Sequence, residues 1–126
     1  MTKMPSQFRA AVAAAMESTD YQYKLGAAIF AKKRLISVGT NNAKTHPLSK
    51  FYGRPVTVHA EMQAIIRAKN FVESLDGMIL VVARIKRNGE LGMARPCSGC
   101  QSIIKQNNIK EVWYTTENGW AKEYFE

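Results

Sequence analysis

Cysteine and histidine are both scarce, with two of each among 126 residues. The two cysteines, Cys97 and Cys100, stand only two residues apart, which argues against a disulfide-stapled secreted scaffold because such a pair closes no useful loop. No apolar run approaches the length of a membrane-spanning helix. Met1 to Ser6 is polar, and the alanine-rich stretch that follows is interrupted by Arg9 and Glu17, so no secretory leader is read there. Internal repeats, linkers and low-complexity segments are missing too. A soluble chain in the cytoplasm, with its cysteines as thiols, is the expectation. Acidic residues are in deficit, 10 against 18 basic, giving a net charge of +8. That balance suits a phosphorylated substrate or a nucleic acid. It is also what plain solubility would give, since Lys32, Lys33, Arg34, Lys86 and Arg87 fall in expected turns. With 46% hydrophobic residues, the chain can bury one core and not two, so residues 1–126 are expected to form a single domain.

The apolar pattern sets out the elements. Ser6 can cap a first helix, with Phe8, Ala11, Val12, Ala15 and Met16 forming its apolar stripe. Leu25 to Ala31 and Leu35 to Val38 read as a hairpin across Lys32-Lys33-Arg34. Gly39 to Pro55 is polar and turn-rich, which predicts a long loop of the kind that often carries function. A second helix is predicted from Thr57 or Val58 to Asn70, with Met62, Ile65, Ile66 and Ala68 available for burial. Met78 to Ile85 is apolar almost throughout and reads as a strand buried on both faces. Asn88-Gly89 then turns the chain, so that Leu91 to Ala94 returns antiparallel. Ser98 to Asn107 predicts a third helix and Glu111 to Thr116 another strand. Asn118-Gly119 predicts a last hairpin, with Trp120 to Phe125 as its edge strand. Together these give an α/β fold, a three-layer α-β-α domain around a five-stranded mixed sheet with an antiparallel C-terminal hairpin.

Two short segments carry chemistry, and both fall at predicted helix starts. His59-Ala60-Glu61 opens the second helix and Pro96-Cys97-Ser98-Gly99-Cys100 opens the third. Side chains of a first turn lean toward the helix N-terminus, so donors from two helices can converge on one point beyond both ends. His59, Cys97 and Cys100 make a soft set of one imidazole and two thiolates, which suits Zn²⁺ and leaves a fourth position for water. Helix N-termini favour the thiolate form. Such a zinc carries little net charge and acidifies its water only in part, so a base is needed. Glu61 can accept that proton and return it to a substrate. A redox dithiol reading of Cys97 and Cys100 leaves His59 and Glu61 without a role. A structural zinc site would want a fourth protein ligand, for which only His46 remains among the histidines.

The H-x-E segment followed by P-C-x-x-C resembles the cytidine deaminase superfamily of zinc enzymes, which act on cytosine or adenine amino groups. The resemblance extends from the first helix to the final strands. It implies a zinc-dependent hydrolytic deaminase with one Zn²⁺ per chain, ligands His59, Cys97 and Cys100, and Glu61 as the shuttle moving protons to the ring nitrogen and the departing ammonia. It further implies that Asn42, or alternatively Asn41, hydrogen-bonds base or sugar, and that the Ala60 backbone N–H faces the pyrimidine carbonyl. His46 either packs in the long loop or meets a phosphate or sugar. Phe51, Tyr52 and Trp120 either stack on a base or pack, and Arg95 either pairs internally or meets a phosphate.

The antiparallel terminal hairpin resembles the cytidine-deaminase branch. The loop from Asn42 to Arg54, however, lacks the asparagine-then-glutamate pair with which free-nucleoside enzymes of that branch hold ribose, and Gln63 replaces an asparagine common in deoxycytidylate enzymes. Ala94-Arg95-Pro96-Cys97 and Tyr114-Thr115-Thr116 with Gly119 are similar to short phage and bacterial deaminases. The expectation is deamination of a cytosine nucleoside or nucleotide by a homo-oligomer, dimer or tetramer. The alternatives are a deaminase of cytosine or adenine in single-stranded DNA or RNA, and a catalytically inactive zinc-stabilised binding module.

Overall fold

The computed structural model of the chain describes residues 4–18, 24–41 and 59–125. Among them, the elements in chain order are α1 (Phe8–Met16), β1 (Lys24–Ala31), β2 (Arg34–Thr40), α2 (Ala60–Ala68), β3 (Ile79–Ile85), β4 (Leu91–Gly92), α3 (Ser98–Gln106), β5 (Glu111–Thr116) and β6 (Gly119–Tyr124). The sheet runs in the order β2-β1-β3-β5-β6, with β4 paired to β3 off this path. β1 lies antiparallel to both β2 and β3. β3 and β5 are parallel, with α3 between them in sequence, as a crossover connection requires. β6 folds back antiparallel on β5, which bears out the predicted terminal hairpin.

The period-two alternation of the central strands builds two cores, one on each face of the sheet. Ala28 and Phe30 of β1, Val81 and Ala83 of β3 and Trp113 of β5 meet Phe8 and Ala11 of α1. The intervening residues Ala27, Ile29, Leu80, Val82, Val112 and Tyr114 meet Ala60, Ala64, Ile65 and Ala68 of α2 and Ile104 of α3. This is the expected three-layer arrangement. β3 is buried on both faces because it lies between β1 and β5 with helices above and below.

Two glycines let the helices come close. A Cβ on Gly26 would fall inside the Ala11 carbonyl of α1 and against the Ala15 amide, and one on Gly39 would fall inside the Ala60 carbonyl of α2 and against the Ala64 amide. The helices answer with their smallest side chains. α1 buries Phe8, Ala11, Ala14 and Ala15, and α2 buries Ala60, Glu61, Ala64, Ile65 and Ala68. Met16 and Ile66, predicted for the core stripes, are therefore exposed, at 58% and 48%.

Local boundaries differ in several places. Ser6 does not cap α1 with its side chain: Gln7 holds the cap position without a side-chain bond, and Ser6 accepts the Arg9 amide through its carbonyl at 3.0 Å. α2 begins at Ala60 and ends at Ala68, while Thr57 and Val58 lie outside the described residues. β4 stops after Gly92, because the Ala94 amide turns to the Thr115 carbonyl at 2.9 Å and Pro96 has no amide to offer. It makes a short strand beside the five of the path β2-β1-β3-β5-β6. No helix among the described residues is long and apolar enough to cross a membrane.

Candidate active site

Each half of the site lies at the start of a helix. His59 precedes α2 in extended conformation (φ −77°, ψ 152°), and Cys97 precedes α3 in nearly the same one (φ −69°, ψ 168°). Neither side chain caps its own helix, so both are free to point beyond the helix end. Gly39, by admitting α2 against β2, sets the height at which His59 stands. Gln63, one turn into α2, reinforces that seat by accepting the Thr40 amide through Oε1 at 2.9 Å.

The two helix starts bring His59, Cys97 and Cys100 together, with their ligand atoms within 4.8 Å of one another. His59 Nδ1 lies 3.3 Å from Cys100 Sγ and 3.8 Å from Cys97 Sγ. A tetrahedral zinc with Zn–N near 2.0–2.1 Å and Zn–S near 2.3 Å separates nitrogen from sulfur by about 3.6 Å. The observed pair of distances brackets that value, and the donor set is the soft one zinc prefers, so these residues fit the ion. Burial pushes the Cys100 thiol up from its ordinary pKa, and the neighbouring Glu61 and Cys97 push it the same way. A divalent cation at this point would draw the two sulfurs and the neighbouring carboxyl into their anionic forms.

Glu61, in the first turn of α2, is buried, with only 4% of its surface exposed. Its Oε1 has no hydrogen-bond partner among the described residues. Burial raises its pKa above the ordinary glutamate range, an effect only partly offset by a backbone hydrogen bond and by the His59 ring. A buried carboxylate with an unspent oxygen beside three metal-type donors is arranged to take up and release protons.

The other predicted contacts divide. Ala60 is fully buried, and as the first residue of α2 its N–H has no acceptor within the helix. Asn41 follows β2 and its Oδ1 accepts the Ser18 hydroxyl at 2.6 Å and the Leu25 amide at 2.9 Å, tying the two strands at this end. Asn42, His46, Phe51 and Tyr52 lie outside the described residues. Trp120 packs against Phe8 and Trp113, with centroids 5.8 and 6.0 Å away, so its ring belongs to the α1 face of the core. Arg95 pairs internally, its Nε 3.0 and 3.1 Å from the two carboxylate oxygens of Glu123 on β6. Sequence reasoning passed over Gln101, whose Nε2 donates to the Pro96 carbonyl at 2.8 Å. Its place one turn after Cys97 was the available signal.

Comparisons with known proteins agree with this fold. The family model described as "Cytidine and deoxycytidylate deaminase zinc-binding region" matches residues 1–116. Among solved structures, the chain is similar to a cytidine deaminase from Burkholderia pseudomallei, with TM-score 0.70 and 20% identity over 96% of this chain and 93% of that one. It is also similar to the dCMP deaminase of cyanophage S-TIM5, with TM-score 0.65 and 24% identity over 90% of this chain and 86% of that one. A cytidine deaminase from Mycobacterium leprae aligns with TM-score 0.57 and 24% identity over 90% of this chain and 87% of that one. No curated protein sequence matches the chain.

Proposed function

Because the chain belongs to the family of the cytidine and deoxycytidylate deaminase zinc-binding region, we propose that it is a zinc-dependent hydrolytic deaminase of a cytosine nucleoside or nucleotide, with water replacing the ring amino group to give the uracil product and ammonia. The observation that carries this reading is the meeting of His59, Cys97 and Cys100 within 4.8 Å beside the buried, unpartnered Oε1 of Glu61. His59, Cys97 and Cys100 would hold the zinc, which would supply the Lewis acidity to make a water molecule nucleophilic near neutral pH. Glu61 does the proton work. Its carboxylate takes a proton from that water and places it on the ring nitrogen beside the amino-bearing carbon, then takes the remaining proton of the added hydroxyl, which becomes the product carbonyl, and delivers it to the leaving nitrogen so that it departs as ammonia. Burial suits Glu61 to both tasks, since a raised pKa makes it a stronger base in one step and leaves it a usable acid in the next.

Around this centre, the Ala60 N–H meets the pyrimidine carbonyl. Asn42 contacts base or sugar, a choice over Asn41 supported by the bonds that already occupy Asn41 Oδ1. His46 contacts sugar or phosphate. The chain works as a homo-oligomer in the cytoplasm, a reading supported by the exposed Leu35, Ile66 and Phe71 and by two neighbouring thiols that need a reducing compartment. Sedimentation at micromolar concentration tests the first of these; a monomer there removes it.

The net charge of +8 favours one second reading, deamination of a base within single-stranded nucleic acid. Incubating zinc-loaded protein with cytidine, deoxycytidine, their monophosphates and short oligonucleotides, and reading the mass change of each, tests both. Conversion of a monomeric substrate supports the main reading. Conversion of oligonucleotides alone, with a steep salt dependence, supports the second. Zinc-loaded protein that converts none of them would leave the inactive binding module.

A further inference from the structure

Cys97 and Cys100 reach the metal cluster by different means. Cys100 lies inside α3 and is buried, so helix packing aims its sulfur. Cys97 stands before the helix and is exposed. Its Sγ is aimed by its own φ of −69° and by the peptide plane that joins it to Pro96.

That plane is held by one side chain. The first carbonyl α3 uses is that of Cys97, which accepts the Gln101 amide at 2.9 Å, so the Pro96 carbonyl lies beyond the reach of the helical ladder. Pro96 is buried. Its carbonyl would lack a partner there without the Gln101 side chain, which donates Nε2–H to it at 2.8 Å. Upstream the loop is fixed by backbone, the Ala94 amide on the Thr115 carbonyl at 2.9 Å. The Arg95–Glu123 pair also grips it, but with side chains 51% and 31% exposed it is worth little alone.

We propose that Gln101 is a positioning residue for the metal centre: its side-chain amide, bonded to the Pro96 carbonyl, aims the Cys97 sulfur at the shared cation. This rests on His59, Cys97 and Cys100 being the zinc ligands, and Gln101 acts through Cys97 without touching substrate. Groups behind metal ligands commonly set affinity by about 10–100-fold. The interaction has a sign. Only a donor satisfies a carbonyl, so a carboxylate at position 101 sets two acceptors face to face, whereas an ammonium of similar reach keeps the bond.

The test compares wild type with Gln101→Glu, Gln101→Met and Gln101→Lys in two measurements, zinc competition against a chromogenic chelator and the visible spectrum of the cobalt(II)-loaded protein. Gln101→Glu and Gln101→Met are expected to bind zinc about 10–100-fold more weakly, with altered thiolate-to-cobalt absorption. Gln101→Lys is expected to restore both. Thermal midpoints of Gln101→Glu and Gln101→Met should fall further in the zinc-loaded than in the metal-free proteins, since the bond to the Pro96 carbonyl serves the ion as well as the fold. Wild-type affinity and spectrum in Gln101→Glu would overturn the proposal, as would a loss matched by an equal fall in metal-free stability or one that Gln101→Lys fails to recover. If Gln101→Glu does not fold, Gln101→Met carries the comparison. A wild-type protein that binds no zinc sinks the functional reading itself, whereas variants equal to a zinc-binding wild type sink only the role of Gln101.

Discussion

The proposed function asks Glu61 to be both a buried acid and a base, and its burial suits one carboxyl group to both roles. Its desolvation places the acid limb of the rate profile above the ordinary glutamate range, so turnover should fall as pH drops through the folded pKa, because the proton acceptor is then already filled. Replacing it with glutamine should cost about 10²–10⁴ in rate while metal analysis still finds zinc; unchanged turnover would remove the shuttle. The same burial makes a stability prediction of opposite direction. A carboxyl whose folded pKa is raised stabilises the fold below its unfolded pKa and loses that contribution as pH rises through the folded value. Metal-free Glu61→Gln should therefore be more stable than metal-free wild type at neutral pH, by about 1–3 kcal/mol, and the gap should close in acid. Denaturation curves at the two pH values decide it. At Cys97, serine should leave the protein with substoichiometric zinc, and a fully loaded variant would contradict the ligand assignment. His59, Glu61, Cys97 and Cys100 were all legible in the sequence as candidates, because metal and proton chemistry admit few residue types. Gln101 and Glu123 were not, because a hydrogen bond to a carbonyl and an exposed ion pair are open to many residues at many positions.

Helices and strands were legible wherever a turn residue punctuated the apolar pattern. Gly89 and Gly119 have positive φ; Gly89 lies in the turn from β3 to β4 and Gly119 opens β6 at the turn from β5, as the two Asn-Gly pairs predicted. Helix faces were harder to read. Side-chain size suggested Met16 and Ile66 as core residues, yet α1 and α2 approach the sheet through alanines, because Gly26 and Gly39 leave room for backbone and nothing larger. That fit is testable. Gly26→Ala and Gly39→Ala should each destabilise by about 1–3 kcal/mol, the usual cost of an overpacked contact. Only Gly39→Ala should also weaken zinc binding, since α2 follows His59 whereas α1 carries no ligand. Equal zinc affinity in the two variants would mean that the height of α2 does not tune the site.

For the molecule as a whole, metal and fold are linked, because the ligands come from segments separated by the whole of β3. Zinc at a hundred times its Kd should add about 2.7 kcal/mol to the stability, and a chelator should remove it. Binding must also strip protons from thiols, one of which burial holds well above its ordinary range, so affinity should weaken as pH falls. Calorimetry in buffers of different ionisation heat should show protons released on binding; none released would mean that the sulfurs are not the ligands. By itself the sequence pointed to the proposed chemistry, since an imidazole, two sulfurs and a carboxylate at helix starts are the residue types that zinc binding and proton transfer call for. It determined the element order as well, because apolar periodicity and Asn-Gly turns are local properties. Only the tertiary structure decided which helix face is buried, where β4 stops, which side chains brace the cysteine loop, and that Trp120 packs and Arg95 pairs internally. Those outcomes depend on how closely non-neighbouring backbones approach one another, and no local pattern carries that distance.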